Sequence, residues 1–247
     1  MPRKKRWTFI SFEDGVQTIE LSSWKYFYDY VHQKILNYKG YVWRGHGSSS
    51  WDLTSTLERE LLKKPKKEWS AITHNHLTKF KYAIRGRRGS NPAPLTDEND
   101  WWALGQHHGL STPLLDWSSS PFVALYFAFS ELNPHPKGPR AVYALHKYSA
   151  DQAGIGLISP LTDENQRLVN QAGLFTRSPD DKTIPESLVE AYDGKGGVSL
   201  LKIIIPNRER DKCMKTLERM NINHLTLFPD IYGASVHCNH ALKINEY

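Results

Sequence analysis

The sequence contains only two cysteines, Cys213 and Cys238, and no apolar run that approaches the roughly 20 residues of a membrane-spanning helix. Two isolated cysteines supply neither a disulfide framework nor a metal-binding knuckle. No basic start followed by an apolar segment indicates a secretory signal. P-loop, GxGxxG and Gly-x-Ser-x-Gly motifs are also missing, which argues against the commoner nucleotide-binding and serine-hydrolase folds. We therefore expect a cytoplasmic protein with no membrane partner.

The 247 residues include 39% hydrophobic and 12% aromatic residues, enough to build a substantial core. The formal net charge of +6 comes partly from three basic clusters, Arg3 to Arg6, Lys63 to Lys67, and Arg85 to Arg88. Each cluster alone fits a solvated surface or a flexible tail, but the three together favour RNA or DNA as a partner.

Apolar periodicity and turn residues predict how the chain is organised. We expect a flexible basic arm over residues 1–10 and a single domain over residues 11–247. Helices and strands mix without a βαβ repeat, which predicts an α+β fold with a mixed or antiparallel sheet and flanking helices. The predicted helices are 17–38, 58–62, 68–84 and 208–220, the strands 40–45, 140–148 and 198–205, and the loops 86–97, 133–138 and 179–185.

The densest signal lies between Trp101 and Ser130, where polar residues precede an apolar helix predicted over Phe122 to Phe129. Ser120 has the residue type of an N-cap, and Pro121 suits the first helical position. A helix that is apolar all round is buried, so its N-terminus is held rigidly. The sequence therefore predicts an anion site at this helix start.

Several ordered motifs resemble those of the FRG domain family, over about residues 17–235. A weaker similarity relates the motif order to ADP-ribosyltransferases, with Arg44-Gly45 as the first element and residues 118–128 as the second. For the third, acidic element the sequence offers Gln171, Glu190 and Asp230 without choosing among them. The FRG motifs are Tyr41–Gly45, Trp51–Leu53, Gln106–Gly109, Thr112–Trp117, Ala124–Ala128, Asn170–Phe175 and Leu227–Ile231.

The second similarity implies an ADP-ribosyltransferase-like fold and NAD as substrate, and the lack of any metal-ligand spacing in the sequence predicts no metal. Cleavage of the nicotinamide–ribose bond passes through an oxocarbenium-like state that needs polar or negative groups near the sugar. An arginine suits the dinucleotide phosphates. The residues assigned to catalysis are Arg44, Asp116, Gln171 and His107, and those assigned to NAD are Arg44, Gly45, Gln106, Thr112, Trp117, Ser118 and Ser119.

Structural explanations remain open for these residues. Arg44 could pair with Asp116 or Asp230 for stability alone, Asp116 could serve the helix start, and Trp117 could belong to the core. Adjacent His107 and His108 lack the spacing of a metal site.

Three functions are compatible with the sequence. The first is an NAD-dependent ADP-ribosyltransferase that modifies a macromolecule, RNA or DNA rather than protein. The FRG resemblance implies a toxin of bacterial or phage conflict with a possible antitoxin or chaperone partner. The second is a non-catalytic module that binds a nucleotide or a partner. The third is an NAD-independent nuclease or phosphate-transfer enzyme.

Overall fold

A computed structural model of the chain describes residues 5–131, 138–160 and 166–245. Its strands form one mixed sheet in the order β1-β2-β8-β5-β3-β4-β7-β6. Only β2 and β8 run parallel among the neighbouring pairs described. The predicted α+β class is confirmed, whereas the likeness to ADP-ribosyltransferases stays a prediction. The strands are β1 Trp7–Glu13, β2 Val16–Leu21, β3 Tyr41–His46, β4 Leu114–Ser118, β5 Arg140–His146, β6 Gly156–Ile158, β7 Gly173–Arg177 and β8 Leu200–Ile205.

Helices flank this sheet, and none of those described is long and apolar enough to cross a membrane. Helix α1 continues into a π-helical turn over Val31–Ile35, and a 3-10 turn over Lys66–Glu68 precedes α3. The α-helices are α1 Tyr26–Tyr30, α2 Thr56–Leu61, α3 Trp69–Ala83, α4 Glu98–His107, α5 Pro121–Phe129, α6 Lys147–Gln152, α7 Gln166–Asn170, α8 Ile184–Tyr192, α9 Arg210–Arg219, α10 His224–Leu227 and α11 Ile231–Asn245.

The central helix α5 forms as its sequence predicts. Ser120 is the N-cap, its Oγ accepts the Val123 N–H at 3.4 Å, and Pro121 is the first helical residue. Six of its nine residues are buried, in a cluster shared with α1, α9 and one face of the sheet. Alternate residues of β3 face opposite sides, so Trp43 joins this cluster while Val42 joins a second one on the other face.

Strand β3 lies against α5 at unusually short range, because Gly45 has no side chain. A Cβ at this position would lie 1.9 Å from the Ala124 carbonyl oxygen and 2.5 Å from the Ala128 nitrogen. Glycine here therefore serves helix–strand packing. This contact fixes α5 relative to the strand that carries Arg44.

Three of the elements predicted from the sequence differ in the structure. Residues 7–10 lie in β1 and not in a flexible arm, because Trp7 packs edge-on against Tyr30 at 5.3 Å. The predicted helix over 17–38 is β2 followed by α1 and the π-helical turn, because Ile19 and Leu21 alternate into the core. The predicted loop over 179–185 ends early, where Thr183 caps α8. Residues 133–137 of another predicted loop lie outside the described part of the chain.

Candidate functional site

A large cleft opens where β3 and β4 diverge. Between β3 and β4 only Trp43 and Ser118 are paired, whereas β3 and β5 are paired over six residues. The cleft has a volume of about 1090 Å³, large enough for a dinucleotide. Described residues that line it are Trp43, Arg44, Gly45, His46, Gly47, Ser50, Trp51, Asp52, Thr54, Arg59, Glu60, Leu62, Lys63, Asp116, Trp117, Ser118, Phe127, Glu131, Gln171 and Phe228.

Arg44 spans the gap between the diverging strands. Its Nη1 donates to the Asp116 carbonyl oxygen at 2.7 Å and lies 3.7 Å from the Asp116 carboxylate oxygen Oδ2. The arginine side chain is 21% exposed and the aspartate 60% exposed. Burial lowers the pKa of the Arg44 guanidinium and the Asp116 charge opposes that shift, so arginine stays a cation here. A fixed cation and an accessible carboxylate therefore lie together in the cleft.

His46 orients the Arg44 guanidinium. The Arg44 Nε–H donates to His46 Nε2 at 3.0 Å, while His46 Nδ1 lies 3.3 Å from the Trp51 carbonyl oxygen. Because arginine can only donate and a carbonyl can only accept, the imidazole must carry its proton on Nδ1. Burial, followed by the Arg44 charge, lowers the pKa of His46 to about 3. His46 is therefore neutral at physiological pH and acts as a positioning residue.

A second chain of hydrogen bonds holds Asp116 from the opposite side. The Gln106 Nε2 donates to Asp116 Oδ1 at 2.8 Å, and Thr112 Oγ1 donates to Gln106 Oε1. Thr112 is fully buried, and its N–H donates to Thr56 Oγ1 at 2.9 Å. Gln106 and Thr112, predicted as NAD contacts, thus lie behind Asp116 and outside the residues that line the cleft. Their observed contacts fix the orientation of its carboxylate.

The anion site at the start of α5 stays a prediction, and most of the polar groups there have partners within the chain. Pro121 has no N–H, Ser120 Oγ accepts the Val123 N–H, and the Ser120 carbonyl accepts the Ala124 N–H. Ser118 Oγ donates to the Gln171 carbonyl at 2.7 Å, and Ser119 does so to the Ala172 carbonyl at 3.3 Å. These contacts hold the helix start against the turn between α7 and β7.

Trp117 and Gly45 also have structural roles. Trp117 is 3% exposed, and its Nε1 donates to Thr176 Oγ1 at 2.7 Å. This burial and this hydrogen bond favour the structural alternative for Trp117, although the residue also borders the cleft. Gly45 borders the cleft, but α5 occupies the space that its missing side chain leaves.

The three candidates for the acidic element differ in position. Gln171 borders the cleft, but its amide donates to the Leu227 carbonyl at 3.1 Å. Glu190 pairs with Lys182 at 2.6 Å, outside the cleft lining. Asp230 pairs with Arg167 and accepts the Gly233 N–H at 2.7 Å, and these bonds lower its pKa.

His107, predicted as catalytic, ends α4 and is not among the cleft-lining residues. It lies close enough to Asp230 for its charge to lower the pKa of that carboxyl further. Among the described residues no group of three or more His, Cys, Asp or Glu side chains could hold a metal ion.

Several lining residues were missed by the sequence reasoning. Trp51 is 46% exposed, while its carbonyl accepts from both His46 and Tyr143. Three further carboxylates, from Asp52, Glu60 and Glu131, border the cleft. Trp51 and Asp52 belong to the Trp-Asp-Leu motif, so that motif was the signal that could have found them.

Comparisons with known proteins relate one segment of this chain to a protein family. No curated protein and no solved structure gives a significant match to the chain. The sequence model of the FRG domain family matches residues 39–137. That range contains every residue of the chain of hydrogen bonds that runs from Thr112 through Asp116 and Arg44 to Trp51. The segment 39–137 is thus similar to the FRG domain family, and this segment supplies the polar centre of the cleft.

Proposed function

We propose that the protein is an NAD-dependent ADP-ribosyltransferase that modifies a macromolecule. The observation that carries this proposal is the pairing of Arg44 and Asp116 at the divergence of β3 and β4. One cation and one accessible carboxylate are held side by side in a cleft of dinucleotide size. Such a pair suits a substrate with a negative pyrophosphate and a ribose that becomes positive in the transition state.

Arg44 binds the pyrophosphate in this proposal. Its Nε is fixed by His46 and its Nη1 by the Asp116 carbonyl, so little side-chain entropy is lost on binding. Among the described residues, no acceptor contacts the remaining Nη2. This nitrogen is the donor that a phosphate oxygen would use.

Asp116 acts at the sugar. The bond between ribose C1′ and the nicotinamide nitrogen breaks, and its electron pair leaves with nicotinamide. A nucleophilic atom of the acceptor then forms a new bond to C1′ and gives up its proton. The Asp116 carboxylate stabilises the positive charge on the ribose and accepts that proton. Gln171 has no basic group, and the contact of its amide with Leu227 favours a role in shaping the cleft wall.

Trp51 supplies a stacking surface for one of the two bases of NAD. Its half-exposed indole is part of the cleft wall, whereas the buried Trp117 offers no face. His46 and Tyr143 both donate hydrogen bonds to the backbone carbonyl of Trp51. The backbone that carries the indole ring is therefore held in position.

The test is transfer of label from adenine-labelled NAD to RNA, DNA and protein. Wild-type protein is expected to label one of these acceptors, with RNA or DNA favoured. Arg44→Ala is expected to lower the rate about 100-fold or more, as loss of a preorganised charge does. Arg177→Ala is the matched control, because Arg177 is 20% exposed, pairs with Glu98 and Asp180, and lies outside the cleft lining.

Two results would contradict the proposal in different ways. Intact NAD after incubation with all three acceptor classes excludes the transferase. Tight NAD binding without turnover would assign the cleft to a sensing module instead. Equal losses in Arg44→Ala and Arg177→Ala would show that folding, and not the cleft, limits activity.

The biological setting follows from the resemblance to the FRG family and is part of the same proposal. We infer a toxin of bacterial or phage conflict that acts in the cytoplasm under the control of an antitoxin or chaperone. Induced expression in bacteria is expected to stop growth, and Arg44→Ala is expected to restore it at equal protein level. Normal growth with soluble wild-type protein would contradict this role.

A further inference from the structure

A basic and aromatic strip runs along the solvent-facing side of α3. Lys79, Tyr82 and Arg85 are spaced three residues apart, so they lie next to one another on the helix surface and its end. All three are exposed, Tyr82 to 62%. The opposite side of α3 is buried through Trp69, Thr73 and Leu77. The strip is therefore a stable surface on a well-anchored helix.

The charge of this region is unbalanced. The segment from Trp69 to Thr96 contains five Lys or Arg and no Asp or Glu. The formal charge of this segment is therefore +5, compared with a formal net charge of +6 for the whole chain. Some other exposed cations pair with carboxylates, as Lys63 does with Glu60 and Lys66 with Glu186. Within the described chain Lys79 and Arg85 have no such ion pair.

The arginines at the end of α3 are partly fixed in position. Arg85 Nε donates to the Tyr82 carbonyl at 3.3 Å, and Arg87 Nε donates to the Ala83 carbonyl at 3.1 Å. The Arg85 guanidinium also lies 4.8 Å from the centre of the Tyr82 ring. A cation held over one face of an exposed ring leaves the other face for a second flat group.

From these observations we propose that the strip of Lys79, Tyr82 and Arg85, extended by Arg87, binds single-stranded nucleic acid. The three cations contact the phosphates, and an unpaired base stacks on Tyr82. An acidic peptide or an anionic membrane would use the charges but offers no base to stack on the exposed ring. A duplex would keep its bases stacked inside and gain nothing from Tyr82.

Binding can be measured without NAD, so the result is independent of the proposed transferase. Fluorescence anisotropy with labelled oligo(U) and oligo(dT) is recorded over a series of salt concentrations. The triple variant K79A/R85A/R87A is expected to bind at least about tenfold more weakly and to lower the salt slope by about 2, since each phosphate contact contributes about 0.7. Tyr82→Ala is expected to weaken binding about fivefold or more while the salt slope is unchanged.

The matched control is K39A/K195A/K215A, which removes the same charge from exposed lysines on other elements. It is expected to keep most of the affinity, and circular dichroism confirms that each variant is folded. Equal losses in the control and the strip variant would overturn the proposal. So would duplex binding as tight as single-strand binding, or strip-dependent binding of poly-glutamate or anionic vesicles in place of oligonucleotides.

Discussion

Substitution of Gly45 by alanine tests the packing that positions Arg44. The added Cβ would lie 1.9 Å from the Ala124 carbonyl oxygen, whereas ordinary contacts begin near 3.4 Å. The helix or the strand must therefore move by roughly 1.5 Å, and the opposing atoms are backbone atoms that cannot rotate away. Overpacking of this kind costs about 3 kcal/mol. For a chain of this size, that loss corresponds to a fall in Tm of about 6–12 °C.

Thermal and guanidinium unfolding followed by circular dichroism measure the effect. Gly138→Ala is the control, because a Cβ at Gly138 would meet no atom of the described residues within 4 Å. We expect its free energy of unfolding to stay within about 0.5 kcal/mol of the wild-type value. Similar stability of Gly45→Ala and Gly138→Ala would refute the close contact between β3 and α5.

Three further predictions concern other parts of the structure. Burial lowers the pKa of His224 and His240 to about 4, so the unfolded chain binds more protons. Chemical denaturation should therefore show stability falling by about 2 kcal/mol or more as pH drops from 7 to 5, since the buried His46 acts in the same direction, and a flat profile would contradict this burial. Trp117→Phe should cost about 1–3 kcal/mol, because its buried hydrogen-bond acceptor loses its partner. Trp51→Phe, at a half-exposed ring, should stay within about 0.5 kcal/mol, and equal costs in the two variants would contradict the assignment. His46→Leu should weaken NAD binding about tenfold or more in calorimetry, because its arginine partner loses a fixed acceptor, and unchanged affinity would exclude this role.

The sequence correctly predicted elements whose formation depends on residues that are close together along the chain. Ser120 and Pro121 marked the start of α5, and the β-branched run near Ile203 marked β8. Other local signals were present and were missed. Asp14-Gly15, both with positive φ, forms the tight turn of the β1–β2 hairpin, and Thr183 with Glu186 forms the capping box of α8.

The centre of the cleft could be predicted only in part. Arg44 and Asp116 were identified by residue type and motif, but they meet because β3 and β4 diverge, and sequence does not show that divergence. Gln106 was assigned to the cofactor, whereas its bond to Asp116 depends on how the end of α4 packs. His46 was missed because a lone histidine in a strand has no local signal, and its role comes from its contact with Arg44.

The proposed role of Asp116 is tested by release of nicotinamide from NAD in Asp116→Asn, compared with wild-type protein and Arg177→Ala. The substitution keeps the size of the side chain and removes its charge. We expect nicotinamide release by wild-type protein and by Arg177→Ala in the presence of the acceptor. In Asp116→Asn we expect the release rate to fall about 100-fold or more while binding of NAD is retained. Unchanged release by Asp116→Asn, or no release by folded wild-type protein with RNA, DNA and protein acceptors, would contradict it.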